Sequence, residues 1–310
     1  MKKIVNINTY VQEQPTILTI GTFDGVHIGH QKIIKRLIKV GKEKKLKTVV
    51  LTFFPHPRMV LQKNSDIQLL NTIEEREAIL TSLGLDQMVT KTFTKEFANL
   101  SAEEFVKTIL VDTLQAKYII IGYDHQFGKD RSANIDDLKV FGDDYDFEVE
   151  EISAQDVENV SVSSTKIRTA LQQGDIVTAN SYLGYHYFLT GTVIKGKGLG
   201  KQIGFPTANI HIKEDYKLIP KNGVYVVKGT IQGETVFGMM NIGTNPTVDG
   251  KYQSIEAHFF DFEKDIYGEI LKVEFLKRLR DEQKFESLEF LQAQLKKDKL
   301  DAKKFLNNHG

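Results

Sequence analysis

The chain has 310 residues, 41% hydrophobic and 26% charged, which suits a soluble globular protein with enough length for two domains. Its 41 Lys and Arg match its 41 Asp and Glu, so nothing in the balance points to nucleic acid or an anionic membrane, and small anions fit better as partners. It has no cysteine, which excludes disulfides, thiolate metal sites and cysteine nucleophiles; its first residues lack the apolar core of a secretory signal and no apolar run reaches the ~18 residues a membrane span needs, so a cytoplasmic setting is expected.

Short apolar runs at residues 16–20, 48–53, 87–89, 118–121 and 147–152 read as strands. The first, second and fourth are nearly continuous in apolar residues, as strands of a parallel sheet buried on both faces are. Helical stretches lie between them. Thr72 with Glu75 and Ser101 with Glu104 have the capping-box spacing, in which a hydroxyl and a carboxylate each satisfy a free amide at a helix start. This alternation predicts a doubly wound, Rossmann-like α/β domain. The lysine-rich stretches at residues 42–47 and 296–299 read as solvated helix faces.

From about residue 185 the pattern changes. Runs at 187–194, 223–231, 235–242, 254–260 and 271–276 are separated by turn signals such as Asn222-Gly223, Gln232-Gly233 and Tyr267-Gly268. Strands this closely spaced predict a small antiparallel β-barrel or sandwich, followed by a helix over roughly 287–297. The expected division is residues 1–183 and 184–310.

The chemistry-bearing residues cluster in both halves. The first strand runs into Gly21-Thr22-Phe23-Asp24-Gly25-Val26-His27-Ile28-Gly29-His30, and a helix follows. Two histidines three apart therefore sit at a helix N-terminus, on the carboxyl edge of the sheet, where α/β folds bind ligands. Free amides there favour anions, and Gly21, Gly25 and Gly29 let phosphate oxygens approach the backbone. His27 and His30 lack cysteine partners and the glutamate of a metalloprotease helix, so a metal site is the weaker reading. Further on stand Thr52-Phe53-Phe54-Pro55-His56-Pro57, Gly122-Tyr123-Asp124-His125-Gln126-Phe127-Gly128 and Val162-Ser163-Ser164-Thr165-Lys166-Ile167-Arg168. Hydroxyls and one permanent cation suit phosphate oxygens, and paired prolines with aromatics make a flat apolar surface.

In the second half, Gly191 to Lys197 has the spacing GxxxxGK, but Gly198 replaces the hydroxyl that a P-loop needs. Gly196, Gly198 and Gly200 do not form a dinucleotide fingerprint either, and no helix is expected after them. They read as a flexible basic loop able to fold over phosphates. Phe205-Pro206-Thr207-Ala208-Asn209 follows, and later Ser254-Ile255-Glu256-Ala257-His258, whose polar residues alternate onto one face of a strand.

Residues 21–30 resemble the HxGH signature of the nucleotidyltransferase superfamily, and residues 162–168 resemble its ISSTxIR motif. Together with the TFxPHP-like and GxDFxFG-like stretches, they resemble the bacterial bifunctional riboflavin kinase/FMN adenylyltransferase family, and Phe205 to Asn209 resembles the PTAN motif of riboflavin kinases. The resemblance implies two ATP-dependent steps: riboflavin to FMN and ADP in the second domain, then FMN to FAD and pyrophosphate in the first, each with Mg²⁺. It implies that His27 and His30 act in adenylyl transfer and that Phe23 lines the ATP site with the three glycines of the turn. Ser163, Ser164, Thr165 and Arg168 would line phosphates, Pro55, Pro57 and Phe127 would pack the flavin ring, and Asp124 would sit near the nucleotide or the flavin phosphate. In the second domain it implies that Gly196 and Gly198 cover ATP, that Thr207 and Asn209 hold Mg²⁺-ATP, and that Glu256 is the catalytic base. Residues 279–285 resemble an LRxExKF segment, which puts Arg280 or Glu282 beside the flavin. His125, Ala133 and Thr22 depart from the family pattern, where Phe, Gly and Asn are usual. Rival expectations are a chain with one active domain, a flavin-binding regulator without turnover, or a different nucleotidyl acceptor.

Overall fold

The computed structural model describes residues 5–7, 12, 14–63, 65–123, 125–152, 162–196, 198–247 and 250–309. The chain divides into two compact units, Met1–Ser164 and Thr165–Gly310.

In the first unit the elements are β1 (Val5–Asn6), β2 (Thr16–Ile20), α1 (Ile28–Lys44), β3 (Lys47–Phe54), α2 (Pro57–Leu61), α3 (Ile73–Ser82), β4 (Gln87–Thr92), α4 (Lys95–Ala98), α5 (Ala102–Phe105), β5 (Ala116–Gly122), α6 (Ile135–Tyr145) and β6 (Glu148–Ile152). α5 runs on into a wider π-helical stretch, Val106–Thr113. The six strands are parallel in the order β1-β4-β3-β2-β5-β6. The chain moves outward from β2 through β3 to β4, then returns to the other side of β2 as β5. The order therefore reverses between β2 and β5, and their carboxyl ends carry residues 21–30 and 123–128. Open α/β sheets leave a ligand crevice at such a point.

Alternation along the buried strands feeds two cores. Leu18, Val49, Leu51 and Ile119 face one that includes Phe105, Leu110 and Leu138, whereas Ile17, Val50 and Ile120 face the other with Ile34, Leu37 and Leu80. Helices thus cover both faces of the sheet, as the near-continuous apolar runs predict. Both expected capping boxes form, at Thr72 with Glu75 and at Ser101 with Glu104. Lys42 to Lys45 are exposed, as a solvated helix end should be.

The second unit opens with α7 (Ser164–Gln173, whose first residue closes the first unit) and α8 (Ile176–Leu183). There follow β7 (Phe188–Ile194), α9 (Leu199–Gln202), β8 (Ala208–His211), β9 (Gly223–Ile231), β10 (Glu234–Thr247), β11 (Gly250–Phe259), β12 (Ile270–Arg280) and α10 (Leu288–His309). The six strands close into an antiparallel barrel in the order β10-β11-β8-β7-β12-β9. α10 covers an apolar patch of the barrel with Leu295, Ala302, Phe305 and Leu306, packed near Val224, Val226 and Met239.

Three expectations need correction. A helical turn does form at the glycine run: α9 begins inside it, after Gly198, whose left-handed φ of 72° precedes the turn without a side-chain cap. Residues 208–211, absent from the expected strands, form β8. The last helix continues twelve residues beyond 297, because Ala302, Phe305 and Leu306 extend its apolar stripe.

Candidate active sites of the two units

The first site begins with a turn that glycine alone does not explain. Phe23 and Val26 have positive φ, 46° and 35°, flanking Gly25 at 83°. For a β-branched residue this is a strained conformation, costing on the order of 1–3 kcal/mol, and it persists only where the surroundings over-determine it. Both side chains are buried in the core. The Asp24 carboxylate accepts from the backbone N–H of Leu70 at 2.9 and 3.1 Å and of Asn71 at 3.3 Å, and Arg76 Nη2 lies 3.6 Å from it. Gly21 N–H donates to the carbonyl of Leu51 at 3.0 Å, tying the turn to β3.

The turn delivers His27 as the N-cap of α1, where its Nδ1 accepts the backbone N–H of His30 at 3.3 Å. That leaves the proton of the neutral ring on Nε2. The two imidazoles stack with centroids 3.6 Å apart and planes 16° from parallel, and Phe23 packs 5.0 Å from His30. Burial pushes His27 down to about 4, with the Asp24 charge opposing. Burial also holds His30 well below the usual histidine range, with His27 and Arg76 adding to the effect. Both rings are therefore neutral at pH 7 and supply directional donors without a fixed charge. His30 Nδ1 is buried with no hydrogen-bond partner among the described residues. No acidic side chain occupies the first turn of α1, so the positive end of its dipole is left for an outside anion.

Ser164 Oγ donates to the carbonyl of Asp24 at 2.9 Å, which brings the start of the 162–168 motif against the histidine turn. Ser163 is half-buried, and Thr165 and Arg168 follow along α7, exposed and half-buried respectively. Of the residues expected at the flavin, Pro55 and Pro57 are half-buried after β3, with a cis peptide between Phe54 and Pro55. An aromatic chain joins this segment to the one after β5. Phe53 packs on Phe93 and Phe97, both at 5.8 Å, Phe97 on Phe105 at 6.0 Å, Phe105 on Phe127 at 6.0 Å, and His125 on Phe127 at 6.2 Å. Phe127 itself is buried and paired with Ala133 through two backbone hydrogen bonds. Asp124 lies outside the described residues.

The second site is built by strand register. Asn209 on β8 sits opposite Glu256 on β11, and Glu256 sits opposite Asn241 on β10. Opposite residues of antiparallel strands share a face, so the three form a polar row across three strands. Thr207 Oγ1 donates to Glu256 Oε2 at 3.2 Å. Residues 205–207 are held from behind: His258 Nδ1 donates to the carbonyl of Pro206 at 2.8 Å, and Phe205 packs 5.2 Å from the His258 ring. Gly196 lies so close to the Asn209 carboxamide that a Cβ there would overlap it. Gly198 is exposed one residue before α9.

Asn241 is the member of this row to which motif reading gives no role. Its signal was available in the alternation of β10, where a polar residue interrupts a buried strand opposite the glutamate. Glu282 accepts from Thr244 N–H at 3.2 Å and from Asn222 Nδ2 at 3.1 Å. Arg280 is engaged by Asp298 of α10, with contacts of 2.7 and 3.0 Å to a carboxylate that is 2% exposed. Among the described residues no three His, Asp or Glu side chains gather to hold a metal ion.

A family model described as FAD synthetase matches residues 10–166, and one described as riboflavin kinase matches residues 183–306. The bifunctional riboflavin kinase/FMN adenylyltransferase of Listeria monocytogenes is 42% identical over 291 residues, which cover 93% of this chain and 92% of that protein. The Bacillus subtilis protein of the same description is 37% identical over 306 residues, 96% of this chain and 94% of its own. A solved structure from Streptococcus pneumoniae, described as a macrolide-efflux protein, superposes with a TM-score of 0.87 at 34% identity and covers 97% of both chains. Among the described residues of the present chain, no helix is long and apolar enough to cross a membrane. With each half matched in the same order and relatives this similar over nearly their whole length, the chain belongs to the bifunctional riboflavin kinase/FMN adenylyltransferase family.

Proposed function

We propose that this chain makes FAD from riboflavin in two ATP-dependent steps, each in its own half. The observation that carries the reading is the presence, on one chain, of a stacked pair of neutral imidazoles at a helix mouth and of a Thr207–Glu256 hydrogen bond on a barrel face. In the second half, the ribityl 5′-hydroxyl of riboflavin attacks the γ-phosphorus of ATP, Glu256 takes the hydroxyl proton, and the bond to the β-phosphate oxygen breaks to release ADP and FMN. General-base help of this kind is typically worth about 10²–10⁴ in rate. In the first half, a phosphate oxygen of FMN attacks the α-phosphorus of ATP, and pyrophosphate leaves as FAD forms. His27 and His30 donate to the phosphate oxygens where charge accumulates, and the amides at the start of α1 do the same.

Supporting roles follow the motifs. Gly21, Phe23, Gly25 and Gly29 shape the nucleotide turn. Ser163, Thr165 and Arg168 take phosphates together with the backbone N–H of Ser164, whose hydroxyl is engaged by the Asp24 carbonyl. Pro55, Pro57, Asp124 and Phe127 are assigned to the flavin of the first site, and Arg280 and Glu282 to that of the second. Phe127 is buried in the core of the first unit. Gly196 and Gly198 lie over the ATP of the second site. Thr207 and Asn209 offer hard oxygen donors beside a carboxylate, a set that fits Mg²⁺. Bound there with ATP, the cation would offset phosphate charge. In the first turn the sole carboxylate, Asp24, is already engaged, so a cation at that site would rest on the phosphates. The functional boundary is proposed between residues 183 and 184; the riboflavin kinase match starts at residue 183. The ATP supply both steps require fits a cytoplasmic setting.

The test is incubation with riboflavin, ATP and Mg²⁺, followed by chromatographic separation of the flavins. FMN should rise first and FAD should replace it. FMN without FAD would leave the second half alone active, and no ATP-dependent product at all would overturn the proposal.

A further inference from the structure

The turn that carries His27 has to be held in a shape its own residues disfavour, and the holding group lies on another element. Phe23 and Val26 are left-handed without being glycine, and their buried side chains leave the turn no room to relax. Three kinds of contact that hold it meet at Asp24. Its carboxylate accepts the Leu70 and Asn71 amides. Its carbonyl accepts Ser164 Oγ. Its charge faces Arg76, which stands in the first turn of α3, directly after the Thr72–Glu75 capping box. Asp24 and Arg76 are each only 1% exposed, so neither charge is solvated and each depends on the other.

Arg76 also reaches a second strand end. Its Nη1 donates to Thr52 Oγ1 at 3.2 Å, and Thr52 Oγ1 in turn donates to the carbonyl of Thr22 at 3.2 Å. One guanidinium therefore ties together the histidine turn after β2 and the start of the 52–57 segment that ends β3. We infer that Arg76 is a positioning residue for adenylyl transfer: acting through the Asp24 carboxylate, it holds residues 21–27 in the shape that stacks His27 and His30 at the mouth of α1. The inference rests on the adenylyltransferase reading of this site. It adds a residue that lies outside every motif and acts through others. Small displacements of positioned groups can lower a rate about 10²-fold.

Three variants test it, with FMN-to-FAD conversion measured at a temperature well below unfolding. Arg76→Met should lower kcat about 100-fold while the KM values for FMN and ATP stay within threefold. Arg76→Lys, which keeps a cation beside Asp24, should recover to within tenfold of wild type. The double variant Asp24→Asn with Arg76→Met removes both charges of the buried pair and should fold, yet it should lose kcat as the single variant does. Where Arg76→Met does not fold, the double variant decides. Riboflavin phosphorylation should remain at the wild-type rate in all three. A lowered melting temperature with wild-type kcat in the double variant would reduce Arg76 to a stability role and overturn the inference. Wild-type protein that makes no FAD from FMN would instead overturn the reading of the site, and the inference with it.

Discussion

The two candidate sites solve the problem of placing polar groups in opposite ways. In the first unit the proposed chemistry lies on a strained turn between β2 and α1, with buried neutral rings as the proposed donors and a buried ion pair with two backbone amides holding the turn. In the second it lies on ordinary strands, where the register of β8, β11 and β10 lines up Asn209, Glu256 and Asn241, and the proposed base is a half-buried carboxylate. A site built on a turn depends on a few contacts from distant elements. A site built on register inherits its geometry from the whole barrel. Single substitutions should therefore separate the two activities cleanly.

The largest separation is expected at Glu256. Glu256→Gln keeps the size and an acceptor for Thr207 but removes the base, so riboflavin phosphorylation should fall about 10²–10⁴-fold. Conversion of added FMN to FAD should not change. Phosphorylation within threefold of wild type would mean that the hydroxyl proton leaves by another route. Next comes His27→Ala combined with His30→Ala, which removes both donors at the mouth of α1. FAD formation should drop about 10²–10³-fold, as it does when developing charge loses a fixed donor, while FMN formation from riboflavin persists. If either variant lost both activities while staying folded, the assignment of one site to each half would be wrong.

Much of this organisation is legible in the amino-acid order, and what is not has a physical reason. Parallel strands buried on both faces announce themselves as apolar runs, and the histidine turn as a glycine-rich break after the first of them. Strand β8 does not, because Asn209 and His211 interrupt its four residues and a proline stands just before it. Its partner strands make it a strand, and no local preference does. The left-handed Phe23 and Val26 are equally hidden, since positive φ is ordinarily signalled by Gly or Asn. The Asp24–Arg76 pair joins residues on separate elements, and nothing in local spacing couples them. Arg280 shows the reverse situation: its motif suggests the flavin, and the fold reveals a firm partner in Asp298 that ties β12 to α10.

The pH response should sharpen the contrast. His27 titrates near 4 in the folded protein, against about 6.5 in an unfolded chain. Between those values the unfolded chain binds a proton that the folded one refuses, so acid favours unfolding. The first unit should hold its full stability above pH 6.5 and lose it as pH falls toward 4, by on the order of 3 kcal/mol from His27 alone. His30, also held low by burial, adds to the loss with the same sign. His258 gives the second unit the same sign from one buried imidazole, with the Pro206 carbonyl opposing the shift. Calorimetry from pH 7 to 5 should therefore show the first unit's melting temperature falling, and His27→Gln should flatten that slope. A first-unit transition independent of pH over this range would contradict the burial of the two rings.

The smallest expected effect concerns how closely the glycine loop approaches the row on the barrel. Gly196 leaves room for the Asn209 carboxamide, and a methyl group there would overlap it. The carboxamide is the end of a movable side chain, so Gly196→Ala should displace Asn209 without unfolding the barrel. Glu256 and its bond to Thr207 remain, because β11 and residues 205–207 are held by register and by His258. The loss should therefore be partial, about tenfold in kcat/KM for ATP in riboflavin phosphorylation, equivalent to about 1.4 kcal/mol. FMN adenylylation should be untouched. A truncating second change, Asn209→Ala in the Gly196→Ala background, decides the cause. If the methyl acts only by moving Asn209, the double variant should be no worse than Asn209→Ala alone, since the overlap has gone with the side chain. A further loss in the double variant would show that the loop itself, and not only the asparagine it packs against, depends on a bare backbone at position 196.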